Sequence, residues 1–266
     1  MTRRRLDAEL VRRGLARTRT EAQDAVRSGL VVVGGHPASK PSRLVRPDEA
    51  LQLARRPPRF VSRGGDKLDA ALGRFGVAVA GRDGLDAGAS TGGFTDCLLK
   101  GGAARVVAVD VGYGQLAWAL RRDPRVIVLE RTNVRDLVPA DLPFAPQVVV
   151  ADLSFISLRL ALPALAGAAV AGADLVLLVK PQFEAAPQDV GEGGVVRDPG
   201  VWRRALEQVA EGCEASRATP TQAMASPLLG PAGNVEFFLH AVKDGVAGPP
   251  DLADAIGEGL RTGGRP

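Results

Sequence analysis

Four charged residues occur where the edge of a parallel sheet would bring them together. Asp152 ends the segment QVVVAD, Lys180 ends DLVLLVK and Glu236 begins NVEFF. A last strand that runs antiparallel to its neighbours starts at the edge where the other strands end. Lys67, in SRGGDKL just before the first strand, could reach that edge from a helix. We therefore expect two cations and two carboxylates to converge.

Such a group of side chains suits the removal of a proton from a hydroxyl group. A lysine serves as the base only when it has lost its own proton, which burial and a second ammonium both favour. Our hypothesis makes Lys180 the base or the group that orients the hydroxyl. Asp152 and Glu236 then position it, and Lys67 contacts the substrate. Taken singly, each of the four is equally well explained as a surface charge or a salt bridge at a strand end.

A glycine-rich turn follows the first predicted strand. The segment DAGASTGGF starts at Asp86 and lets the backbone approach a ligand closely. Dinucleotide folds usually carry G-x-G-x-x-G at this point, and the register differs here, although an NAD site stays open as the alternative. Asp110 ends the second strand about twenty residues later, where a carboxylate can accept hydrogen bonds from a ribose diol. Asn133 and Val134, after the third strand, are expected near an adenine.

Strands and helices alternate through the last two hundred residues. A first strand leads into LDAGAS at 85–90, and further strands are predicted at 105–110, 126–130, 147–154, 174–181 and 234–242. Helices are predicted over GGFTDCLLK, LRLALPALAGAA and VWRRALEQVAEGC. This alternation predicts an α/β, doubly wound domain, in which a parallel sheet is covered on both faces and binds ligands at the C-terminal ends of its strands.

The charge is concentrated at one end of the chain. Residues 1–65 hold fifteen Lys and Arg against six Asp and Glu, or +9, which leaves nineteen against twenty-four, or −5, for residues 66–266. A basic head indicates a module that binds polyanions, because Lys and Arg that neutralise phosphates release counterions. The alternative is a solvated basic arm.

Composition excludes several classes. With 45% hydrophobic and 24% charged residues, the chain lies far from the signature of disorder. The longest apolar uncharged stretch, 160–173, is too short to span a bilayer. The N-terminal segment is basic without an apolar run behind it, so we expect a cytoplasmic protein. Two cysteines and two histidines make a disulfide framework or a clustered metal site improbable, and we expect no metal.

The basic head has the pattern of a folded RNA-binding module. Leucines and valines recur at helical spacing from Leu6 to Leu15, and a second helix is predicted from a capping box of Thr20 and Gln23. The run RLDAELVRRGLARTRTEAQDAVRSGLVVVGG resembles the small domain first seen in the fourth small-subunit ribosomal protein, which implies recognition of RNA shape and backbone. The residues expected to contact RNA are Arg3, Arg4, Arg5, Arg12, Arg17, Arg19 and Arg63.

The remaining motifs resemble those of methyltransferases. D-x-G-x-S-x-G-G-F is similar to motif I of S-adenosylmethionine methyltransferases, in which the acidic residue faces the cationic amino acid end of the cofactor. The order Lys-Asp-Lys-Glu is similar to the tetrad of the FtsJ-like ribose 2′-O-methyltransferases, which implies a seven-stranded sheet with its last strand antiparallel. The implied S-adenosylmethionine site consists of Asp86, Gly88, Ser90, Gly92, Gly93, Phe94, Asp110, Asn133, Val134 and Asp152.

Nearly the whole chain resembles the TlyA family, some members of which carry the name haemolysin. The resemblance implies methylation of cytidine ribose 2′-hydroxyls in ribosomal RNA, with one or both ribosomal subunits as partners and no membrane partner. The alternatives are a non-catalytic factor for ribosomal RNA binding or assembly, and a methyltransferase for a non-RNA substrate. A membrane-lytic protein would need an amphipathic or spanning segment that the sequence lacks.

The domain plan follows from these segments. We predict an RNA-binding domain at 1–58, a linker at 59–63, a Rossmann-like methyltransferase domain at 64–244 and a mobile tail at 245–266 without a core pattern. Four phenylalanines, at 155, 183, 237 and 238, could stack on a flipped base, although most are expected in the core. Tyr113 and Trp118 could pack against an adenine.

Overall fold

The computed structural model describes residues 3–16, 18–27, 30–34, 36–38, 40–53, 59–246 and 250–263. The chain divides into two compact units, Met1–Arg59 and Phe60–Pro266. Across the described residues, no helix is both long enough and apolar enough to span a bilayer.

The first unit is a small α+β fold. Its strands are β1 (Arg4–Arg5), β2 (Val31–Val33), β3 (His36–Pro37), β4 (Leu44–Val45) and β5 (Leu51–Leu53), and its helices are α1 (Leu6–Arg12) and α2 (Arg19–Arg27). Strand β1 pairs with β4, and β2 lies between β3 and β5, with every pair antiparallel. Leu6 and Leu10 of α1 and Val26 of α2 are fully buried against the strands, which fixes the apolar face that the sequence pattern predicts.

The start of α2 differs from the prediction. The cap is Thr18, whose Oγ1 accepts the backbone N–H of Glu21 at 3.1 Å, and not Thr20. Gln23, predicted to complete the capping box, donates instead to Asp7 Oδ2 at 3.0 Å. Because the hydroxyl of Thr18 already caps α2, Thr20 lies inside the first turn of the helix.

The second unit is an α/β fold. Its strands are β6 (Asp83–Ala87), β7 (Arg105–Asp110), β8 (Val126–Glu130), β9 (Val148–Ala151), β10 (Asp174–Val179), β11 (Ala218–Ala225) and β12 (Phe237–Lys243). Its helices are α3 (Arg63–Phe75), α4 (Gly93–Lys100), α5 (Trp118–Arg121), α6 (Leu158–Ala168), α7 (Pro181–Glu184), α8 (Pro199–Ala215) and α9 (Leu252–Thr262). Strand β11 was not predicted, because its sequence ATPTQAMA alternates only weakly.

The seven strands form one sheet in the order β11-β12-β10-β9-β6-β7-β8. Neighbours from β10 to β8 are parallel, whereas β12 runs antiparallel to both β10 and β11. Helices α3, α4 and α5 cover one face, and α6, α8 and α9 cover the other. The predicted fold class is therefore confirmed, including the antiparallel last strand.

Residues 59–63 were predicted to be a linker, but residues 60–63 belong to the folded second unit. Phe60 is only 2% exposed and belongs to the core beneath α3 and α4. The next residue, Val61, donates its N–H to Asp96 Oδ2 at 2.9 Å. Arg63 already begins α3. The aromatic ring of Phe60 fills an apolar site in the core and so holds this segment in place. The local sequence, rich in Pro and Arg, did not indicate this core contact.

The segment predicted to be a mobile tail, 245–266, contains helix α9. Asp251 caps this helix by accepting the N–H groups of Ala253 and Asp254 at 3.0 Å. Ala255 and Ile256 are buried against the sheet. The prediction failed because the buried face consists mostly of small residues, which carry little hydrophobic signal. Residues 247–249 and 264–266 lie outside the described part of the chain.

Candidate active site

The four predicted charged residues meet at one edge of the sheet as two ion pairs. Lys67 Nζ of α3 lies 2.5 Å from Glu236 Oε2, and their side chains are 7% and 1% exposed. Lys180 Nζ lies 2.6 Å from Asp152 Oδ1. The structure therefore shows the predicted convergence of these four side chains. Each lysine neutralises one carboxylate, so the four side chains form a compact, nearly neutral group.

The strand ends explain this convergence. Strand β9 stops at Ala151, so Asp152 is the first residue beyond it, and its N–H donates to Ala87 O at 2.9 Å. Lys180 follows β10 directly, and Glu236 precedes the first residue of β12. Because β12 is antiparallel, its beginning and the ends of β9 and β10 lie at the same edge.

A cavity of about 290 Å³ opens over the two ion pairs. Its walls include all four charged residues together with backbone and hydroxyl groups from α3 and the glycine turn. Among the predicted residues, those in its walls are Arg63, Lys67, Gly88, Ser90, Gly93, Phe94, Asp152, Lys180 and Glu236. The sequence did not single out Ser62, Thr91 or Ser154, which also line it.

A larger cavity of about 960 Å³ adjoins the first, since the two share Gly88, Ser90, Asp152 and Ser154. Predicted residues in its walls are Gly88, Ser90, Asp110, Asn133, Val134 and Asp152. This volume lies in the range of small-molecule and cofactor sites. The sequence missed Gln115, Gln182 and Ser157 in this wall, because isolated polar residues in loops carry no pattern.

The glycine turn is shaped by close approach. Gly88 has φ +84°, and a Cβ there would lie 2.4 Å from the carbonyl oxygen of Asp152. Gly92 has φ +96°, and its Cβ would lie 2.3 Å from Leu120 Cδ1. Only glycine fits both the backbone conformation and the space at these positions. The turn therefore lies directly against the segment that carries Asp152.

Asp110 holds this turn in place. Its Oδ2 accepts the N–H of Ser90 and its Oδ1 accepts the N–H of Gly112, both at 2.7 Å. Each carboxylate oxygen has a second lone pair, so Asp110 can also accept hydrogen bonds from a ligand in the cavity wall that it forms. After the next strand, the side chain of Asn133 accepts the N–H of Arg135 at 3.2 Å and fixes the loop that follows β8.

The structure does not place Asp86 where the motif predicts. The side chain is completely buried beneath the turn and lines neither cavity. Its Oδ2 accepts the hydroxyl of Thr95 at 2.6 Å, and Oδ1 has no hydrogen-bond partner among the described residues. Burial raises the pKa of Asp86 to about 7, with Thr95 opposing the shift and the nearby charge of Asp152 adding to it. Its contact with α4 indicates an indirect role.

The four phenylalanines divide into two groups. Phe237 and Phe238 are adjacent on β12, so their side chains point to opposite faces of the sheet. Both are fully buried, because helices cover both faces. Phe155 is 92% exposed at the mouth of the larger cavity, with the unusual φ of +64°, and its ring centroid lies 5.4 Å from that of Phe183. Tyr113 and Trp118 are exposed and line neither cavity, so the structure does not place them in the walls where an adenine is expected.

The predicted RNA-contacting arginines have mixed surroundings. Arg5 pairs with Asp7 at 2.9 Å, and Arg12 pairs with Glu9 at 2.6 Å. The guanidinium of Arg5 strongly lowers the pKa of Asp7, and that of Arg12 lowers the pKa of Glu9 to about 2, although burial opposes both shifts. Arg3 and Arg4 are exposed. Arg19 lies 3.5 Å from Asp7, and Arg17 lies outside the described residues.

In the described part of the chain, no group of three or more His, Cys, Asp or Glu side chains is arranged to hold a metal ion. The groups around the larger cavity are of a kind that binds an adenosyl group. They are two backbone-anchored oxygens on Asp110, a glycine turn and an apolar wall containing Val134. This donor set fits a nucleoside cofactor.

The sheet order, the glycine turn and the two adjoining cavities define a Rossmann-like methyltransferase. A solved structure from Listeria monocytogenes, named as an S-adenosylmethionine dependent methyltransferase, shares the fold with a TM-score of 0.52 at 15% identity and covers 68% of this chain and 99% of its own. The family model described as FtsJ-like methyltransferase matches residues 60–243, and that of the S4 domain matches residues 4–51. The chain belongs to the TlyA family of FtsJ-like methyltransferases.

Two full-length relatives support this membership. The Mycobacterium tuberculosis protein named 16S/23S rRNA (cytidine-2′-O)-methyltransferase TlyA is 52% identical over 264 residues, which cover 98% of each chain. A solved structure from Streptococcus thermophilus, which carries the name hemolysin, is 38% identical with a TM-score of 0.74 and covers 98% of this chain and 97% of its own.

Proposed function

We propose that this protein transfers a methyl group from S-adenosylmethionine to the ribose 2′-hydroxyl of a cytidine in ribosomal RNA. The observation that carries the proposal is the junction of the two cavities, where the Lys-Asp-Lys-Glu group adjoins a cofactor-sized site. The printed activity of the relative that is 52% identical supports the choice of substrate. Such a substrate would place the protein with ribosomal subunits in the cytoplasm.

The residues of the larger cavity would hold the cofactor. Asp110 accepts the ribose hydroxyls, the loop at Asn133 and Val134 borders the adenine, and the turn from Gly88 to Gly93 approaches the amino acid end. Bound there, S-adenosylmethionine supplies an electrophilic methyl group on a sulfonium. Asp86 acts from beneath, because its hydrogen bond to Thr95 holds the first turn of α4.

The smaller cavity would hold the reacting ribose. Lys180 removes the proton of the 2′-hydroxyl, since a hydroxyl becomes a good nucleophile only as its proton leaves. Asp152 holds the amine of Lys180 at 2.6 Å. Lys67, paired with Glu236, forms the wall on the other side. Holding both reactants at one junction accounts for much of the expected acceleration.

Contacts to RNA would extend beyond the reacting nucleotide. Arg63 lies in the wall of the smaller cavity, where it can bind a backbone phosphate. Exposed Phe155 can stack on an unpaired base. The exposed ring of Tyr113 lies 4.4 Å below the guanidinium of Arg131, which adds a surface of the kind that binds nucleic acid. The basic S4 domain supplies sequence-independent affinity for phosphates.

The test is methyl transfer to separately purified, unmethylated small and large ribosomal subunits, followed by mass mapping of the product. We expect a 2′-O-methylcytidine whose formation is lost in Lys180→Ala. An assembly factor would bind the subunits without transferring a methyl group. A methyltransferase for another substrate would tolerate replacement of Arg3 and Arg4 by Ala without loss of activity.

The name hemolysin on the Streptococcus thermophilus relative raises a lytic function as a second candidate. Release of dye from lipid vesicles distinguishes it. We expect no release at concentrations that saturate methyl transfer, because a lytic protein needs an amphipathic or spanning segment of the kind that the sequence analysis did not identify.

A further inference from the structure

We propose that Ser154 is a positioning residue that aims the free electron pair of neutral Lys180 at the ribose hydroxyl. Ser154 is not one of the four charged residues, and it lies two positions beyond Asp152 in the loop after β9. The proposal rests on the proposed function, because it requires Lys180 to be the base.

Ser154 makes the hydrogen bond that orients the amine. Lys180 Nζ donates to Ser154 Oγ at 3.0 Å. The closer contact, at 2.6 Å to Asp152 Oδ1, is an ion pair, and that oxygen has no hydrogen-bond partner in the described residues. Asp152 therefore fixes where Nζ lies, and the directional hydrogen bond to Ser154 Oγ sets how the amine is rotated about the Cε–Nζ bond.

The rotation decides whether Lys180 can act. A neutral amine has two N–H bonds and one lone pair in the three tetrahedral directions away from Cε. One N–H is held by Ser154, and the other turns toward the negative charge of Asp152. The lone pair is then left with the third direction, and we infer that this direction faces the smaller cavity because Lys180 forms part of its wall.

The chemical step then balances. The proton of the ribose hydroxyl passes to the lone pair of Lys180 and restores the ammonium. The ribose oxygen forms a bond to the methyl carbon, and the bond from that carbon to sulfur breaks with its electron pair left on sulfur. Ser154 neither gains nor loses a proton in this step; it accepts the same hydrogen bond from Lys180 before and after.

The position of Ser154 agrees with this role. It is one of four residues that line both cavities, so it lies at the junction where the reaction would occur. Ser154 is also exposed, whereas the side chain of Lys180 is only 11% exposed. Because the side chain of Ser154 is exposed, packing in the core does not explain a serine at this position.

The first test is a titration of the lysines by NMR, in the full-length protein without cofactor. The chain has only five lysines, Lys40, Lys67, Lys100, Lys180 and Lys243, so ¹³Cε-labelled lysine gives an assignable spectrum. Ser154→Ala should move the midpoint of Lys180 to lower pH, because it removes an acceptor that favours the ammonium. The midpoint of Lys67 should not move. Ser154→Thr, which keeps the hydroxyl, should restore the wild-type midpoint.

The second test is the rate of methyl transfer to the same ribosomal substrate. Ser154→Ala should lower kcat about fivefold with unchanged affinity for the cofactor, and Ser154→Thr should recover most of the loss. The matched control is Ser216→Ala, whose hydroxyl bonds to Gly212 O far from this edge of the sheet.

The outcomes separate the two proposals. Full turnover in Lys180→Ala overturns the base that the proposed function requires. If Lys180→Ala is inactive while Ser154→Ala keeps both the wild-type Lys180 midpoint and the wild-type kcat, the role of Ser154 is wrong and the proposed function stands. A lower kcat with an unmoved midpoint and no recovery in Ser154→Thr also overturns it, since a structural defect would give that result.

Discussion

His240 Nε2 lies 2.7 Å from Asp174 Oδ1, at the edge of the sheet opposite the candidate active site. The other ring nitrogen of His240 lies 2.5 Å from Thr221 Oγ1, and Asp174 Oδ2 also accepts a 2.7 Å hydrogen bond from Arg82. These contacts join β10, β11 and β12 to the loop before β6. They form a polar network that closes the far end of the sheet.

This network should make stability depend on acid pH. Burial opposes ionisation of Asp174, but hydrogen bonds from His240 and Arg82 outweigh it, so its pKa in the folded protein is lowered. A lowered carboxyl pKa stabilises the fold above the unfolded-state value of about 3.9, and that contribution is lost as the pH falls through the folded-state pKa. Asp174→Asn should cost roughly 1.5–3 kcal/mol at pH 7 and less at pH 3.

Urea unfolding at several pH values measures this difference. The control is Asp48→Asn, an exposed residue, for which we expect a change within about 0.5 kcal/mol at every pH. An Asp174→Asn penalty that is constant from pH 7 to pH 3 would contradict the assignment.

Gly88→Ala should weaken cofactor binding through steric contact. The new Cβ would lie 2.4 Å from Asp152 O and would push the glycine turn away from the segment at the junction of the cavities. Gly81→Ala is the matched control, because Gly81 has a similar φ of +72° and nothing within 4 Å of its Cβ position. Titration calorimetry with S-adenosylmethionine should show at least about tenfold weaker binding for Gly88→Ala alone. Equal losses in both variants would assign the effect to backbone strain.

Replacing only one member of the buried ion pair of Lys67 and Glu236 should lower the stability of the fold. Lys67→Met leaves a carboxylate that is 1% exposed without its counter-ion, and we expect a loss of about 3–5 kcal/mol in the free energy of unfolding. The double variant Lys67→Met with Glu236→Gln should recover most of that stability while remaining inactive. Chemical denaturation measures both. A double variant as unstable as Lys67→Met would show that charge desolvation is not the cause.

Phe155 should lower the stability of the fold while it supports activity. A phenylalanine at φ +64° that is 92% exposed is strained and buries little surface. Phe155→Gly should therefore raise the free energy of unfolding by up to about 1 kcal/mol and lower methyl transfer to ribosomal RNA. Cofactor affinity should not change. Phe155→Leu is the comparison that keeps the strain but not the ring. A destabilised Phe155→Gly would contradict the strain argument.

The sequence predicted the parts of this protein that depend on strong periodicity or on chemistry at strand ends. Asp152, Lys180 and Glu236 could be placed because buried parallel strands read as apolar runs that end at a defined residue. Strand β11 and helix α9 escaped prediction because their buried residues are small or alternate weakly with polar ones. Local pattern could not reveal that Phe60 fills a core site, since the residues around it come from α3 and α4.

Site details depended on contacts that no local pattern encodes. Asp86 belongs to a recognisable motif, yet the fold turns it inward to Thr95. Ser154 carries no signal beyond its place near Asp152, and its contact with Lys180 joins residues from two strand ends. Arg5 and Arg12 were predicted to contact RNA, but Asp7 and Glu9 of α1 pair with them.

The pair of Lys67 and Glu236 joins residues 169 positions apart in the sequence. A growing chain emerges from its N-terminus, so the S4 domain and the first parallel strands can form long before Glu236 is made. Helix α9, whose Gly259 packs against Phe237 beside Glu236, comes later still. The S4 domain can therefore finish folding first and the candidate active site last, so that a polypeptide still in synthesis carries the first without the second.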